Sequence, residues 1–167
     1  MAEANRDRIN PSLLDRLTDE APGESSQRGV SVTLSELRKS VLRDLNWLFN
    51  TTQLLKPDEA EGCPHVRKSV LNYGLPALSG VAASGVDVRK LERSLRQAIL
   101  DFEPRILPDS VSVKALVDAE SADHNVISLH IEGLLWAQPV PIELLLRTRL
   151  DLESGQNRVD ETVAGRR

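Results

Sequence analysis

Five acidic side chains, Asp101, Glu103, Glu120, Glu132 and Glu143, are the residues best suited to acid–base chemistry in this chain. Two carboxyls held at a set separation across a sugar-binding cleft hydrolyse a glycosidic bond. Sequence alone does not give that separation. The aromatic side chains number few: Trp47, Phe49, Tyr73, Phe102 and Trp136. The tryptophans and Phe102 are expected in the core or at its edge, which leaves little to stack on a sugar. Cys63 and His65 are spaced like a pair of metal ligands, but no second pair follows, and His124 and His130 lie far along the chain. A zinc site needs three or four ligands, so the expected reading is a loop without metal. Gly74, Gly80 and Gly85 have neither the spacing nor the lysine of a phosphate-cradling loop. No cofactor is implied. One short run stands out instead, Phe102-Glu103-Pro104-Arg105-Ile106, where an acid, a proline and a base follow in a row.

The element in front of that run explains its interest. Val88, Leu91, Leu95, Ala98, Ile99 and Phe102 recur at three- and four-residue steps, so the spacing predicts a helix with one buried face, capped by Asp87 or Ser84. Pro104 cannot continue it and pushes Glu103 toward extended backbone. A carboxylate at a helix C-terminus meets the negative end of the helix dipole. Something positive must compensate, and Arg105 is nearest. In extended backbone, residues two apart face the same side. The two charges either pair or project together at a partner.

Other elements can be read around this helix. Thr33 and Glu36 form a capping box for a helix whose stripe is Leu34, Leu37, Val41, Leu45 and Leu48, ending near Asn50. Trp47 and Phe49 lie off that stripe, which predicts burial on more than one side. Residues 56–65 read as a polar loop, and Ser69 to Pro76 as an ordered segment ending in a tight turn. Beyond residue 110 the period changes from helical to alternating. Three strands are expected, with apolar faces at Val111 to Val117, at Ile127 to Gly133 and at Ile142 to Leu152. Asp123-His124-Asn125 and Gln138-Pro139-Val140-Pro141 are the turns between them. Helices first and an antiparallel meander afterwards make the fold class α+β, with N-terminal helices packed on a small sheet in a single domain. The third strand is long; as an edge it would be a template for another chain. Arg147 and Arg149 share one of its faces, either solvated or turned toward an acidic partner.

The ends are different in character. Residues 1–29 are expected to form a flexible arm carrying a short helix at 12–19, whose Leu13, Leu14 and Leu17 share one side. That helix is too short to be stable alone, so it packs on its own domain or on a partner. The domain proper is expected over 30–156, and 157–167 as a polar tail.

The chain has 167 residues, 40% hydrophobic and 28% charged, as in an ordinary globular domain. A formal net charge of −4 argues against a protein whose main task is binding phosphate backbones. Cys63 is the single cysteine, which suits a reducing compartment. The N-terminus carries no apolar stretch of the secretory kind, and 74–86 is short for a membrane span. A cytoplasmic protein with no direct membrane insertion is expected.

Five segments occur in order: Ser-Leu-Leu-Asp-Arg-Leu at 12–17, Arg-Asp-Leu-Asn-Trp-Leu at 43–48, Ser-Val-Leu-Asn-Tyr-Gly-Leu-Pro at 69–76, Phe-Glu-Pro-Arg-Ile at 102–106, and Arg-Thr-Arg-Leu-Asp-Leu-Glu-Ser-Gly at 147–155. Together they resemble the TssE family, baseplate subunits of bacterial type VI secretion systems, similar to a phage baseplate wedge protein once called lysozyme-like. The resemblance spans 12–160 and departs in the 56–65 loop and at Ala77. It implies an α+β fold and a structural, non-enzymatic role in a baseplate docked at the inner membrane. The implied partners are the wedge subunits TssF and TssG, TssK, and the sheath subunits TssB and TssC. No nucleic acid is implied. It also implies that a strand edge templates the first sheath ring. Glu103, Pro104 and Arg105 carry the family's Glu-Pro-Arg motif. With Arg147, Arg149, Leu13, Leu14 and Leu17 they are the expected partner-binding residues. Two alternatives are a peptidoglycan hydrolase, as the old family label suggests, and an unrelated small binding module.

Overall fold

A computed structural model of the chain describes residues 12–18, 32–55, 59, 62, 64–77, 86–116, 126–137 and 140–161. Helices come first: α1 (Leu13–Leu17), α2 (Leu34–Phe49), α3 (Pro64–Arg67) and α4 (Val88–Phe102). Strands follow: β1 (Ser112–Leu116), β2 (Val126–Leu135), β3 (Ile142–Asp151) and β4 (Asn157–Glu161). The strands form one antiparallel sheet in the order β1-β2-β3-β4. The α+β class and the helices-then-meander order are therefore as the periodicities predict.

Both long helices start at the predicted caps. The Thr33 hydroxyl accepts from the Glu36 N–H at 3.3 Å, and the Glu36 carboxylate accepts from the Thr33 N–H at 2.7 Å. Asp87 accepts from the Lys90 N–H at 3.0 Å. Each cap occupies donors that the first helical turn leaves without partners. The buried stripes are Leu37, Val41, Leu45 and Leu48 on α2, and Leu91, Leu95, Ala98 and Ile99 on α4, whereas Leu34, expected on the α2 stripe, sits in the first helical turn and is exposed. They pack on Leu129, Ile131 and Leu135 of β2 and on Leu144, Leu146 and Leu150 of β3. One face of the sheet is thus the core, and the alternation read from sequence places these strand residues except Leu135, which lies two positions beyond the expected span of the second strand.

Four readings need correction. Trp47 and Trp136 are not core residues: they are 47% and 52% exposed, and only Phe49 turns inward. Position 47 lies outside the arc of α2 that faces the sheet, and Trp136 lies just past the end of β2. The sheet has four strands rather than three. Residues 157–161, read as the start of a polar tail, pair with 146–150 as β4. Its side chains are mostly charged because only one of its faces touches the core, and that face carries Asn157, Val159 and Glu161. Finally, β3 lies between β2 and β4 and is not an edge. The arm outside α1, the Asp123-His124-Asn125 turn, the Gln138-Pro139 link, Cys63, the Ser84 cap and residues 162–167 lie outside the described residues.

Candidate functional site

Pro104 ends α4 as predicted, and Glu103 is its C-cap, with its N–H bonded to the Ile99 carbonyl at 2.8 Å. The chain then turns and runs beside the end of β2. Leu107 N–H donates to the Leu134 carbonyl, and Trp136 N–H to the Arg105 carbonyl, each at 2.8 Å. The motif is therefore fixed to the sheet on both sides of Arg105. Glu103 is 4% exposed. Of the two arrangements open to the motif, the structure forms the pair. Arg105 Nε donates to Glu103 Oε1 at 2.6 Å and its Nη2 to Glu103 Oε2, a two-pronged contact. The same guanidinium reaches α2, with Nη2 on Asp44 Oδ2 at 2.6 Å and Nη1 on Ser40 Oγ at 2.9 Å. A planar fork suits this bridging, and burial makes each charge-assisted bond count for more. Pro104 stays exposed.

The network continues to the N-terminal segment. Asp44 Oδ1 accepts from Arg43 Nε at 2.9 Å, and Arg43 Nη1 binds Asp15 Oδ1 on α1. Ser40 Oγ donates to Asp15 Oδ2 at 2.9 Å, and Ser12 caps α1 through the Asp15 N–H. The hydrogen bond from Arg43 is the main reason the Asp15 carboxyl titrates well below the usual carboxylate range, with Ser12 and Ser40 adding to it against the opposing effect of burial. So α1 is held on α2 by its polar side. Its apolar side faces out: Leu13 is 70% and Leu17 76% exposed, with Leu14 also exposed. Trp47 is exposed on α2, under the Arg43 guanidinium at 5.0 Å from the ring centroid. No sequence signal predicts that the short helix docks through its acid rather than its leucines.

Asn72-Tyr73-Gly74-Leu75-Pro76 braces the same corner. Buried Asn72 accepts from the Leu55 N–H at 3.0 Å. Tyr73 donates its hydroxyl to the Asp44 carbonyl at 3.3 Å and meets Phe102 edge-on at 5.2 Å. Burial and the nearby charges of Asp44 and Glu103 push the Tyr73 phenol up. Leu75 pairs with the strand-like 51–53 segment. Gly74 sits at φ 122°, where a Cβ would lie 2.3 Å from the Thr51 carbonyl oxygen, so only glycine fits.

The two sheet edges differ in what flanks them. Side chains of α4 bracket the outward edge of β1: Glu92 Oε1 accepts from the Ala115 N–H at 2.7 Å, and Arg96 Nε donates to the Val111 carbonyl, just before the strand, at 3.1 Å, with the outward groups of Val113 between them without a partner among the described residues. At β4 only the first outward residue is occupied, where the Asn50 side chain makes both bonds of Asn157, at 2.8 and 2.9 Å. By antiparallel alternation the outward residues that follow are Val159 and Glu161. Their outward groups have no partner among the described residues.

Residues 35–140 match the family described as baseplate wedge protein gp25. That stretch is well over half of the chain. The chain belongs to the baseplate wedge protein gp25 family. The assignment agrees with the motif resemblance to TssE, and it makes the chain a structural baseplate component of a contractile injection system, one that meets other baseplate proteins. No curated protein and no solved structure gives a significant match. The span matching the gp25 family holds α2, α4, β1, β2 and the Glu103–Arg105 brace. Three features lie outside it: α1, β3 and the edge strand β4. The acids considered for hydrolysis are dispersed. Glu103 is paired with Arg105, Asp101 lies 3.7 Å from Lys68, Glu132 and Glu143 stand on the open outer face of the sheet, and Glu120 is outside the described residues. A cleft between the end of α2 and the β3–β4 turn has no acid, histidine or cysteine among its lining residues. Among the described residues, no group of metal-binding side chains is gathered, and no helix is long and apolar enough to cross a membrane.

Proposed function

We propose that the chain is a non-enzymatic joint of a type VI secretion baseplate, binding wedge subunits at one end and templating the first sheath ring at the other. In this reading it works in the cytoplasm, in a baseplate docked at the inner membrane. The observation that carries it is the run of unpartnered outward groups at Val159 and Glu161 on the β4 edge, since side chains of α4 bracket the β1 edge and β3 is internal. An incoming strand of TssB or TssC adds to Val159 and Glu161 through main-chain hydrogen bonds. TssF and TssG, with TssK nearby, meet the α1–α2 surface, where Leu13, Leu14 and Leu17 of α1 and Trp47 of α2 are exposed. At the Glu-Pro-Arg motif the contact runs through exposed Pro104 and the outer side of Arg105, with Glu103 holding that guanidinium in place. The charge network fixes the angle at which α1 is offered, giving geometry more than affinity.

The test uses two variants of the full chain. Val159→Pro removes one outward donor without breaking the β3–β4 ladder, since proline is tolerated at an edge. It is expected to abolish sheath initiation while co-purification with TssF and TssG persists. Leu13→Ser/Leu17→Ser is expected to do the reverse at an unchanged melting temperature. Normal sheath formation with Val159→Pro removes the edge reading, and retained wedge binding by the leucine variant removes the α1 reading.

A further inference from the structure

The helices cover only one face of the sheet. On the other face the register places Lys114, His130, Arg147 and Asp160 in one row across the four strands. The adjacent row is Leu116, Ser128, Arg149 and Arg158. No described helix packs there. Lys114, Arg147, Arg149 and Arg158 are four permanent cations with His130 among them, and none of the five forms an ion pair among the described residues. These cations stand close together, in a chain whose net charge is −4.

The register makes the arrangement costly in isolation. Arg149 stands directly opposite Arg158, and like charges directly opposite each other destabilise a strand pair. Arg147 Nε and His130 Nε2, neighbours on adjacent strands, are shielded from solvent and make no hydrogen bond among the described residues. Exposed Leu116 and Leu134 flank the patch. Within these two rows four cations stand against one carboxylate, Asp160, with unpartnered nitrogens of Arg147 and His130 at the centre, and that local excess of positive charge is complementary to a negative ligand.

We propose that this face of the sheet, on which no described helix packs, docks an acidic segment of a partner protein. Three interstrand spacings carry the patch across about 14 Å, the reach of roughly four extended residues. Four carboxylates share the same face: Glu132 and Glu143 toward one end, Asp151 toward the other, and Asp160 opposite Arg147. They would repel a continuous phosphate backbone but tolerate a short acidic stretch, which favours a polypeptide over a nucleic acid. The patch borders the β4 edge through Arg158 but uses side chains on the sheet face rather than the outward main chain of Val159 and Glu161, so peptide binding and sheath initiation can be read separately.

The experiment is fluorescence anisotropy of a labelled oligo-glutamate peptide against the full chain, with a single-stranded oligonucleotide as the comparison. Binding is expected for the peptide, weakening as salt rises. Arg149→Glu is expected to weaken it by about tenfold or more. The same substitution turns the Arg149–Arg158 repulsion into attraction, so its melting temperature should hold or rise by about 1–3 °C. Arg158→Gln, which only removes charge, is the second variant and should lose affinity without losing the fold. No peptide binding at low salt overturns the proposal, as does unchanged binding by both variants. An oligonucleotide bound as tightly as the peptide overturns it in favour of a general polyanion surface.

Discussion

Arg105→Ala is the sharpest test of how the Glu-Pro-Arg motif works. The substitution removes one guanidinium from four acceptor atoms: both oxygens of Glu103, one of Asp44 and the Ser40 hydroxyl. Asp44 and Ser40 keep other partners in Arg43 and Asp15. Glu103 keeps only the Arg105 N–H, at 3.2 Å, and is 4% exposed. Leaving one member of a buried pair without its partner costs about 3–5 kcal/mol. The Arg105 side chain is 22% exposed, so water can enter part of the vacated space, and the lower end applies. A loss of about 3 kcal/mol in a chain of this size lowers the melting temperature by roughly 6–12 °C. Scanning calorimetry at neutral pH reads this directly. Glu103→Gln/Arg105→Ala should recover part of the loss, because no buried charge is then left unpaired. A melting temperature within about 2 °C of wild type for Arg105→Ala would refute the brace, and would mean that the charges matter only when a partner is bound.

Further outcomes follow from the same geometry. Asp15 titrates well below the usual range, chiefly through its hydrogen bond from Arg43, so its contribution to holding α1 is complete above about pH 4 and is lost as pH falls toward the depressed folded value. Hydrogen exchange of the α1 amides, corrected for intrinsic rate, should therefore show constant protection from neutral pH down to about pH 5, and Asp15→Asn should lose that protection throughout. Equal protection in the two proteins would show that something else docks the helix. Gly74→Ala forces a Cβ to 2.3 Å from the Thr51 carbonyl at a positive φ, and should cost about 3 kcal/mol or more in denaturant unfolding. Val159→Pro should leave that midpoint within about 1 kcal/mol of wild type while stopping sheath initiation, because its N–H faces away from β3.

Much of this molecule was legible along the chain because it depends on short-range rules. The capping box at Thr33 and Glu36, the α4 stripe ending before Pro104, and the alternation of β2 and β3 each follow from local periodicity and local hydrogen bonding. Glu103 also announced its need for a cation, since a carboxylate at a helix end with a proline behind it has few local remedies. What the chain could not state is which distant groups share one charge. The involvement of Asp44, Ser40 and Asp15 with Arg43 and Arg105 needs α1 and α2 to be laid against the end of α4.

The strand edge shows the same division. Residues 142–152 are long and alternate well, features of a good strand wherever it sits, and nothing in them reports how many neighbours it has. β4 hid for the opposite reason: Asn-Arg-Val-Asp-Glu at 157–161 has one apolar residue, and it is a strand because β3 offers it a ladder. Arg147 and Arg149 were visible as a pair, but the cationic face exists only once register sets Lys114, His130 and Arg158 beside them. By itself, then, the sequence determined the helices, their caps, the inward faces of the strands and the five segments that resemble TssE, because each rests on contacts within a few residues. Tertiary structure alone decided which edge is open, which side of α1 faces out and which charges are left unpaired, because those depend on neighbours that the fold brings from far along the chain.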